Sequence, residues 1–397
     1  MKKIPGKRLG YLLMFVYMVS YLTRINYGAV IIEMVAETGY SKTLLSMALT
    51  FSAITYGAGQ LISGFLGDRV QPKRLIILGL IVTTAMNLLI TLFTHPWAMA
   101  AVWAVNGLAQ AFMWPPITKL MVGLLTEDEY KKATVTVSMG SSAGTILIYL
   151  LAPVLISFAG WRSVFFFSAF CGVAMVLFLR QCDIFIPLTA GKHAKEQKTS
   201  VRWFSPMLAV IMLAIVLQGA LRDGVTTWMP SYISETYALG SSVSILTGVA
   251  LPLFGVACYK TAEWLYRKHL KNPLLSAGVI FALGALSAFL LIFLTGKNAL
   301  ASVFFTALLT GSMHGVNLML ICMVPPFYKN TGKVSLVSGA INSCTYVGSA
   351  LSTYGLALLT ESRGWDATVL SWFLIALAGT ALCFLCIPAW KKRFGQK

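Results

Sequence analysis

The stretch GFLGDRVQPKR, residues 64–74, separates two long apolar segments of the chain. Gly64 permits neighbouring helices to approach closely. Asp68 stands among three bases, Arg69, Lys73 and Arg74, and an acid between bases can hold a loop to the ends of adjacent helices. We interpret the stretch as a short loop between two helices. In isolation it would be an ordinary basic loop; the hypothesis is that Gly64, Asp68, Arg69 and Arg74 have a conformational or gating role.

The composition places those helices in a membrane. Of the 397 residues, 57% are hydrophobic and 11% are charged, whereas a soluble domain carries about 25% charged residues. The mean hydropathy is +0.77. The chain is therefore predicted to be a polytopic membrane protein that folds in a lipid bilayer.

Twelve segments are predicted to be membrane helices, because about 20 apolar residues are enough to cross a bilayer. These segments are 10–34, 41–66, 75–94, 97–124, 132–157, 161–180, 205–234, 242–264, 274–295, 299–325, 334–360 and 366–389. An even number of spans puts both chain termini on the same side of the membrane.

The excess of bases indicates how the chain is oriented. It has 31 Lys and Arg against 13 Asp and Glu, a net charge of +18. We interpret this excess as membrane topology rather than nucleic-acid binding, because cytoplasmic loops of membrane proteins collect Lys and Arg. With twelve spans, 23 bases fall on one face and four on the other, namely Lys42, Arg162, Lys297 and Arg363. Both termini are therefore predicted to be cytoplasmic, in a multi-pass protein of the cell (inner) membrane.

The chain divides into two halves that resemble each other. We expect residues 181–203 to form a cytoplasmic linker between two six-helix bundles, residues 1–180 and 204–397. Similar sequences recur in the same order in the two halves: VAETGYSK and ISETYALGSS, MWPP and MVPP, AGWRSVFFFSAF and RGWDATVLSWFL. Repeated halves are common in secondary transporters, whose substrate sites lie at the repeat interface near the middle of the bilayer.

Two arginines occupy corresponding positions in the repeat. Arg24 and Arg222 are separated by the same number of residues as Glu37 and Glu235, and lie about 21 and 25 Å along their predicted helices. Charged residues within membrane helices usually face a polar path. Because a guanidinium can bind two oxygens of a phosphate or carboxylate, we predict that both arginines bind one anion. The alternative is that each makes a structural ion pair.

Asp223 follows Arg222 directly and complicates the interpretation of that arginine. Neighbouring residues on a helix point about 100° apart, so we do not expect the two side chains to face each other. We favour a structural or gating role for Asp223 over the role of a proton carrier.

Three other polar side chains are candidates for the same site. Tyr17 and Tyr21 share a helix face with Arg24. Their hydroxyls either donate to substrate oxygens or bond to another helix. His314, within a predicted membrane helix, either contacts the ligand, carries a proton or is a satisfied buried histidine.

These motifs point to a family. GFLGDRVQPKR resembles the loop signature of the major facilitator superfamily, and YLTRINY, MWPP and RDGVTTWMPSY resemble its organophosphate:phosphate antiporters. The resemblance implies an all-α membrane fold of twelve transmembrane helices in two pseudo-symmetric six-helix bundles. It also implies uptake of glycerol-3-phosphate or hexose phosphates in exchange for inorganic phosphate. The residues that match the family's substrate site are Arg24, Arg222, Tyr17, Tyr21, Trp114 and Tyr346.

The chain departs from the family pattern at several positions. Ile25 follows Arg24, where the family often has a base, and Gln60 and Ser141 stand where glycerol-phosphate carriers have a lysine and a histidine. The loop signature of the second half is reduced to CYKTAEWLYRKH. The resemblance therefore implies an anion site but not which organic phosphate it accepts.

The sequence predicts a secondary transporter of a phosphorylated organic anion, a sugar phosphate or glycerol phosphate, in exchange for inorganic phosphate. We expect a monomer that works by alternating access without a cofactor or metal. No nucleotide hydrolysis is indicated, because the chain has no G-x-x-x-x-G-K-[ST] loop. An enzyme is not predicted, because His314 with Asp223 makes no convergent catalytic cluster. Two alternatives are a symporter of carboxylated anions and a transporter-like sensor of sugar phosphate.

Overall fold

The computed structural model describes residues 6–184, 204–238 and 250–395. Within these ranges the chain is helical, with short connections and no strand. The predicted all-α class is confirmed. Residues 185–203, most of the predicted linker, and residues 242–249, the start of one predicted span, lie outside the described residues.

Residues 6–184 form eight helices. They are α1 (Gly6–Ala29), α2 (Ile31–Thr38), α3 (Lys42–Gly67), α4 (Pro72–Leu89), α5 (Pro96–Gln110), α6 (Trp114–Leu124), α7 (Glu127–Ala159) and α8 (Arg162–Gln181). The start of α7 is fixed by a capping box: the Thr126 side chain accepts the Glu129 N–H, and the Glu129 carboxylate accepts the Thr126 N–H. This reciprocal pair satisfies two backbone donors that a helix start leaves free.

Residues 204–238 and 250–395 form five longer helical stretches. They are α9 (Pro206–Tyr237), α10 (Ala250–Lys268), α11 (Pro273–Leu294), α12 (Ala299–Asn317) and α13 (Val334–Phe394). Within α13, Gly364 has a φ of 75° and is not helical. It separates the two spans that the sequence predicts at 334–360 and 366–389.

Eight helices among the described residues are long and apolar enough to cross a membrane. They include Pro72–Leu92, Arg162–Gln181 and Pro273–Leu294, of which the last has the highest hydropathy. Several helices that could cross a bilayer are therefore present, as the composition predicts for a polytopic membrane protein. The number of twelve spans stays a prediction.

Paired prolines interrupt one long helix in each half. Pro115 and Pro116 stand at the start of α6, after a break at Ala111–Met113. In the second half, α12 ends at Asn317 in a widened turn, Leu318–Cys322, that precedes Pro325 and Pro326. Proline cannot donate a backbone hydrogen bond and clashes with the carbonyl one turn earlier. The prediction of one continuous helix over 97–124 is therefore wrong.

The predicted first helix, 10–34, is also divided. It ends at Ala29, and α2 begins at Ile31 after a turn at Val30. One turn earlier, the Asn26 Oδ1 accepts the Tyr27 N–H at 3.0 Å. A side chain that takes a backbone donor in this way competes with the helical hydrogen bonds, and it does so next to the break.

The chain forms two compact units. One comprises residues 1–201 and 328–340, and the other residues 202–327 and 341–397. Small residues bring helices together within each. A Cβ at Gly144 of α7 would lie 2.6 Å from the Met18 carbonyl oxygen of α1, and one at Gly348 of α13 would collide with the Val216 carbonyl oxygen of α9. No larger residue fits these crossings, which set the positions of α1 and α9.

The same side-chain contact occurs in both halves. The Trp161 indole donates to the Glu37 carboxylate at 2.7 Å, and the Trp365 indole donates to that of Glu235 at 2.8 Å. These four residues belong to the repeated sequences VAET/ISET and GWR/GWD. Two segments that recur in sequence thus meet in the same way in each half, as an internal repeat requires.

The topology predicts which loops an impermeant thiol reagent reaches. Asp128, exposed at the start of α7, is expected on the cytoplasmic side, and Lys297, exposed after α11, on the other side. In a background without the native cysteines, Asp128→Cys should react only after the cells are permeabilised, whereas Lys297→Cys should react in intact cells. The reverse pattern would invert the predicted orientation.

Candidate functional site

Arg24 lies on α1, partly exposed, against two tyrosine rings. Its guanidinium carbon is 4.1 Å from the ring centre of Tyr56 on α3 and 5.6 Å from that of Tyr21. Such contacts attract the cation to the negative face of the ring without using up the donors at the guanidinium edge. The two rings therefore stabilise the charge of Arg24 within the apolar helix. Tyr56 was not identified from the sequence.

The other predicted residues of the first half meet beside Arg24. The rings of Tyr17 and Tyr21 are 5.1 Å apart, and the Tyr17 ring is 5.3 Å from that of Trp114. Trp114 is buried at the start of α6, so the break caused by the prolines places it there. The structure therefore brings Tyr17, Tyr21, Trp114 and Arg24 together within one unit.

A buried polar network lies behind α1. Asn87 of α4 and Asn106 of α5 both donate to the carbonyl oxygen of Thr23, at 2.9 and 3.2 Å. Gln110 of α5 donates to the Thr23 hydroxyl at 2.9 Å and accepts from Ser20 at 2.7 Å. All five residues are buried. Since Thr23 immediately precedes Arg24, these amides fix the backbone that carries the arginine.

Sequence reasoning missed this network, although it left a signal. Asparagine and glutamine are costly in an apolar helix unless they are hydrogen-bonded. Asn87, Asn106 and Gln110 stand within such helices. Their presence points to bonds between helices, but their partners cannot be read from the sequence.

Arg222 forms a bidentate ion pair with Asp223 on α9. The Nε donates to Oδ1 at 2.6 Å, and an Nη donates to Oδ2 at 2.9 Å. The expectation that these neighbours do not face each other is wrong. The long arginine side chain folds back along the helix surface, so the angle between the two Cβ directions does not keep the ends apart.

Other polar groups of the second unit surround this pair. The Ser349 side chain hydrogen bonds to Asp223, and His314 is close enough to interact electrostatically with both Arg222 and Asp223. The hydroxyls of Tyr346 and Tyr259 are within electrostatic range of Arg222. The structure therefore assembles the predicted Arg222, Asp223, His314 and Tyr346, and adds Ser349 and Tyr259.

Ring packing positions His314 in this cluster. Its imidazole lies 5.6 Å from the ring of Tyr259, whose hydroxyl donates to Asn317 at 3.3 Å. A Cβ at Gly255 would lie 3.2 Å from the imidazole, so α10 passes close to it. His314 is thus held between α10 and α9, next to charged groups, and is not enclosed by apolar side chains alone.

Asp68 of the loop signature binds the start of α13. Its carboxylate accepts the N–H groups of Ser335 and Leu336 at 3.0 and 2.9 Å, and the Lys119 ammonium lies 3.3 Å from it. Lys119 also donates to the Gly67 carbonyl at 2.8 Å. Burial raises the pKa of the Asp68 carboxyl, and Lys119 and the two backbone donors oppose that rise. Asp68 therefore makes the predicted contact with a helix end, and the base beside it is Lys119 of α6.

The neighbouring signature residues differ in their contacts. A Cβ at Gly64 would lie 2.7 Å from the Ser335 carbonyl oxygen, so only glycine allows α13 to start this close to α3. The Arg69 guanidinium lies 3.5 Å from the centre of the Phe65 ring. Arg74 is exposed in the first turn of α4. Its gating role stays a prediction, as does that of Arg69.

The helices and the loop signature fit one family. The family model of the Major Facilitator Superfamily matches residues 13–353. The chain belongs to the Major Facilitator Superfamily. Proteins of known structure agree: a crystal structure of the Escherichia coli fucose:proton symporter has a TM-score of 0.76 at 10% identity, covering 95% of this chain and 98% of its own.

A bacterial homologue of the iron transporter ferroportin, solved in an outward-facing state, also has a TM-score of 0.76, at 11% identity, covering 96% of this chain and 99% of its own. At such identities the likeness concerns the fold alone. It confirms the predicted major facilitator fold.

Curated relatives within the superfamily are more similar in sequence. A probable hexose phosphate transport protein of Chlamydia muridarum is 23% identical, with 96% of this chain and 90% of its own covered. The membrane sensor protein UhpC of Salmonella typhimurium is 26% identical, with 94% and 88% covered. The glycerol-3-phosphate transporter of Bacillus subtilis is 26% identical, with 92% and 88% covered. These relatives confirm the resemblance to the organophosphate:phosphate antiporters.

The Asp68 contacts predict an effect on rate rather than on affinity. In this member of the superfamily, Asp68→Asn removes the negative charge at the start of α13. An acid at a helix N-terminus stabilises the helix by about 1 kcal/mol. We expect transport to slow roughly fivefold while the dissociation constant of the substrate is unchanged. Uptake and binding are measured on the same variant. Asp128→Asn, an exposed acid in the first turn of α7, is the matched control. Normal transport with a tenfold loss of affinity would contradict the assignment.

Proposed function

We propose that the protein is a secondary active transporter that carries a phosphorylated organic anion, such as a sugar phosphate or glycerol phosphate, in exchange for inorganic phosphate. The observation that carries the proposal is one partly exposed arginine within an apolar helix of each unit, Arg24 on α1 and Arg222 on α9. Superfamily membership supports transport rather than catalysis. Relatives named as hexose phosphate and glycerol-3-phosphate transport proteins support the substrate class.

The chemistry of the two sites supports an anion as the substrate. A guanidinium is charged at every physiological pH and presents donors in a plane that matches two oxygens of a phosphoryl group. Arg24 rests on tyrosine rings, and Arg222 already holds a carboxylate in this geometry. Tyr17, Tyr21 and Tyr346 supply hydroxyls that are suited to the remaining phosphoryl or sugar oxygens.

The proposal extends to location and assembly. We place the protein in the cell (inner) membrane as a multi-pass monomer with both termini in the cytoplasm, supported by the distribution of its bases. Alternation of access to the two sides of the bilayer then moves the anion. No group of three His, Cys, Asp or Glu within residues 6–184, 204–238 and 250–395 is placed to hold a metal ion.

A sensor is the second candidate, because one of the most similar relatives is a membrane sensor protein. A sensor and a transporter bind the same anion, so binding alone does not separate them. A third candidate, a symporter of carboxylated anions, also needs an arginine but does not exchange phosphate. Transport itself, and its dependence on phosphate at the opposite side, distinguishes the three.

Counterflow in proteoliposomes tests the proposal. The purified protein is reconstituted into vesicles loaded with unlabelled phosphate, and uptake of labelled phosphate from outside is followed. An antiporter should show uptake that is strongly stimulated by internal phosphate and is inhibited by external glycerol-3-phosphate or glucose 6-phosphate. Binding without uptake would favour the sensor, and stimulation by a proton gradient but not by internal phosphate would favour the symporter.

Substitution of the arginines tests the site. Each charge-assisted hydrogen bond contributes about 1.5–3 kcal/mol, so Arg24→Ala and Arg222→Ala should each weaken phosphate binding by roughly one to two decades. Arg222→Lys should also bind less well, because lysine lacks the planar fork. Calorimetry on folded protein gives the affinities, with exposed Arg363→Ala as control. If Arg24→Ala and Arg222→Ala both bind phosphate like the parent, the two arginines are structural.

A further inference from the structure

The anion-binding edge of Arg222 is occupied by a group of the protein itself. Two parallel hydrogen bonds, of 2.6 and 2.9 Å, join the Nε and an Nη of Arg222 to the two oxygens of Asp223. This is the geometry in which arginine binds a carboxylate or a phosphate with two contacts. Asp223 therefore stands where one edge of a bound phosphoryl group would stand.

The side chain of Asp223 is also more exposed than that of Arg222. Its side chain is 28% exposed, against 17% for that of Arg222. An ion pair built only to neutralise a buried charge has both partners enclosed and satisfied. In this pair the acid is instead the more accessible partner, and it also makes a hydrogen bond with the side chain of Ser349.

We propose that Asp223 is an internal competitor for the substrate anion at Arg222. In the empty protein the carboxylate occupies the guanidinium, and an incoming phosphoryl group displaces it to bind. The Ser349 hydroxyl retains a bond to the displaced carboxylate. The proposal rests on the proposed function, since it takes Arg222 to be an anion-binding residue.

Competition of this kind sets both the affinity and the charge of the site. While Asp223 is bound, Arg222 is neutralised and the apolar helix does not carry an unpaired charge, which would be costly. When the anion binds, part of the interaction energy is used to displace the carboxylate, so the measured affinity is lower than that of a free arginine. A transporter must release its substrate as well as bind it. Asp223 assists that release because it can take the place of the departing anion at Arg222.

The two roles of Asp223 predict opposite changes in affinity. If the acid competes with the anion, its removal frees Arg222, and Asp223→Asn and Asp223→Ser should bind inorganic phosphate about tenfold more tightly than the parent. If the acid only positions Arg222 or stabilises α9, its removal leaves the affinity unchanged or weakens it. Calorimetry with inorganic phosphate on the purified full chain separates these results.

Two further variants show where the effect originates. Glu235→Gln removes an acid from the same helix, far along it and bonded to Trp365, and should leave phosphate affinity unchanged. In the double variant Asp223→Asn with Arg222→Ala, the gain should disappear, because no guanidinium remains to be released. If the double variant still binds phosphate more tightly than Arg222→Ala alone, the increase in affinity comes from removing a negative charge near the site and not from releasing Arg222. That result would overturn the proposal.

Each remaining outcome is decisive. If the parent does not bind phosphate, the proposed function fails and this proposal fails with it. If the parent binds phosphate but folded Asp223→Asn and Asp223→Ser bind it no more tightly, the competitor role alone is wrong. If neither neutral variant folds, as judged by thermal unfolding, the ion pair is a structural requirement and the competitor role is likewise rejected.

Discussion

The structure depends on one constraint: in the hydrocarbon of a bilayer, polar groups must find their partners within the protein. The Asn87 and Asn106 amides therefore bind the Thr23 carbonyl, and Gln110 binds its hydroxyl. The same constraint makes Arg222 fold back onto Asp223. Under the proposed function, a residue that binds an anion in such surroundings needs another partner when the anion is absent, and Asp223 supplies that partner to Arg222.

Much of the fold follows from the sequence because membrane helices are long and their apolar character is strong. The breaks were harder to predict. The prolines in MWPP and MVPP indicate that a helix is interrupted. Whether the helix ends or only bends depends on which groups donate hydrogen bonds to the backbone carbonyls that lose their helical partners. The division near Val30 had no such marker. It lies beside Asn26, whose side chain takes a backbone donor, a choice that depends on the helices packed around it.

The candidate site was predictable as a set of residues but not as a set of contacts. The repeat and the buried position of the charges select Arg24 and Arg222. The sequence gives no indication of Tyr56 beneath Arg24, because its ring comes from another helix. For Asp68 the signature indicates a bond to a helix end. The helix end that Asp68 binds contains Ser335, which lies 267 residues later in the chain. Only the fold shows that these two positions meet.

The contact between glutamate and tryptophan recurs in both halves, but its charged surroundings differ. In the first half, Arg162 follows the tryptophan and adds a second bond to Glu37 at 2.7 Å, which lowers the pKa of that carboxyl. In the second half, Asp366 follows Trp365 and, being an acid, cannot supply this cation. Two ends with the same architecture thus differ in the charge that stands beside the glutamate. A substitution that is neutral at one end can therefore change an ion pair at the other, so the two halves are not electrostatically interchangeable.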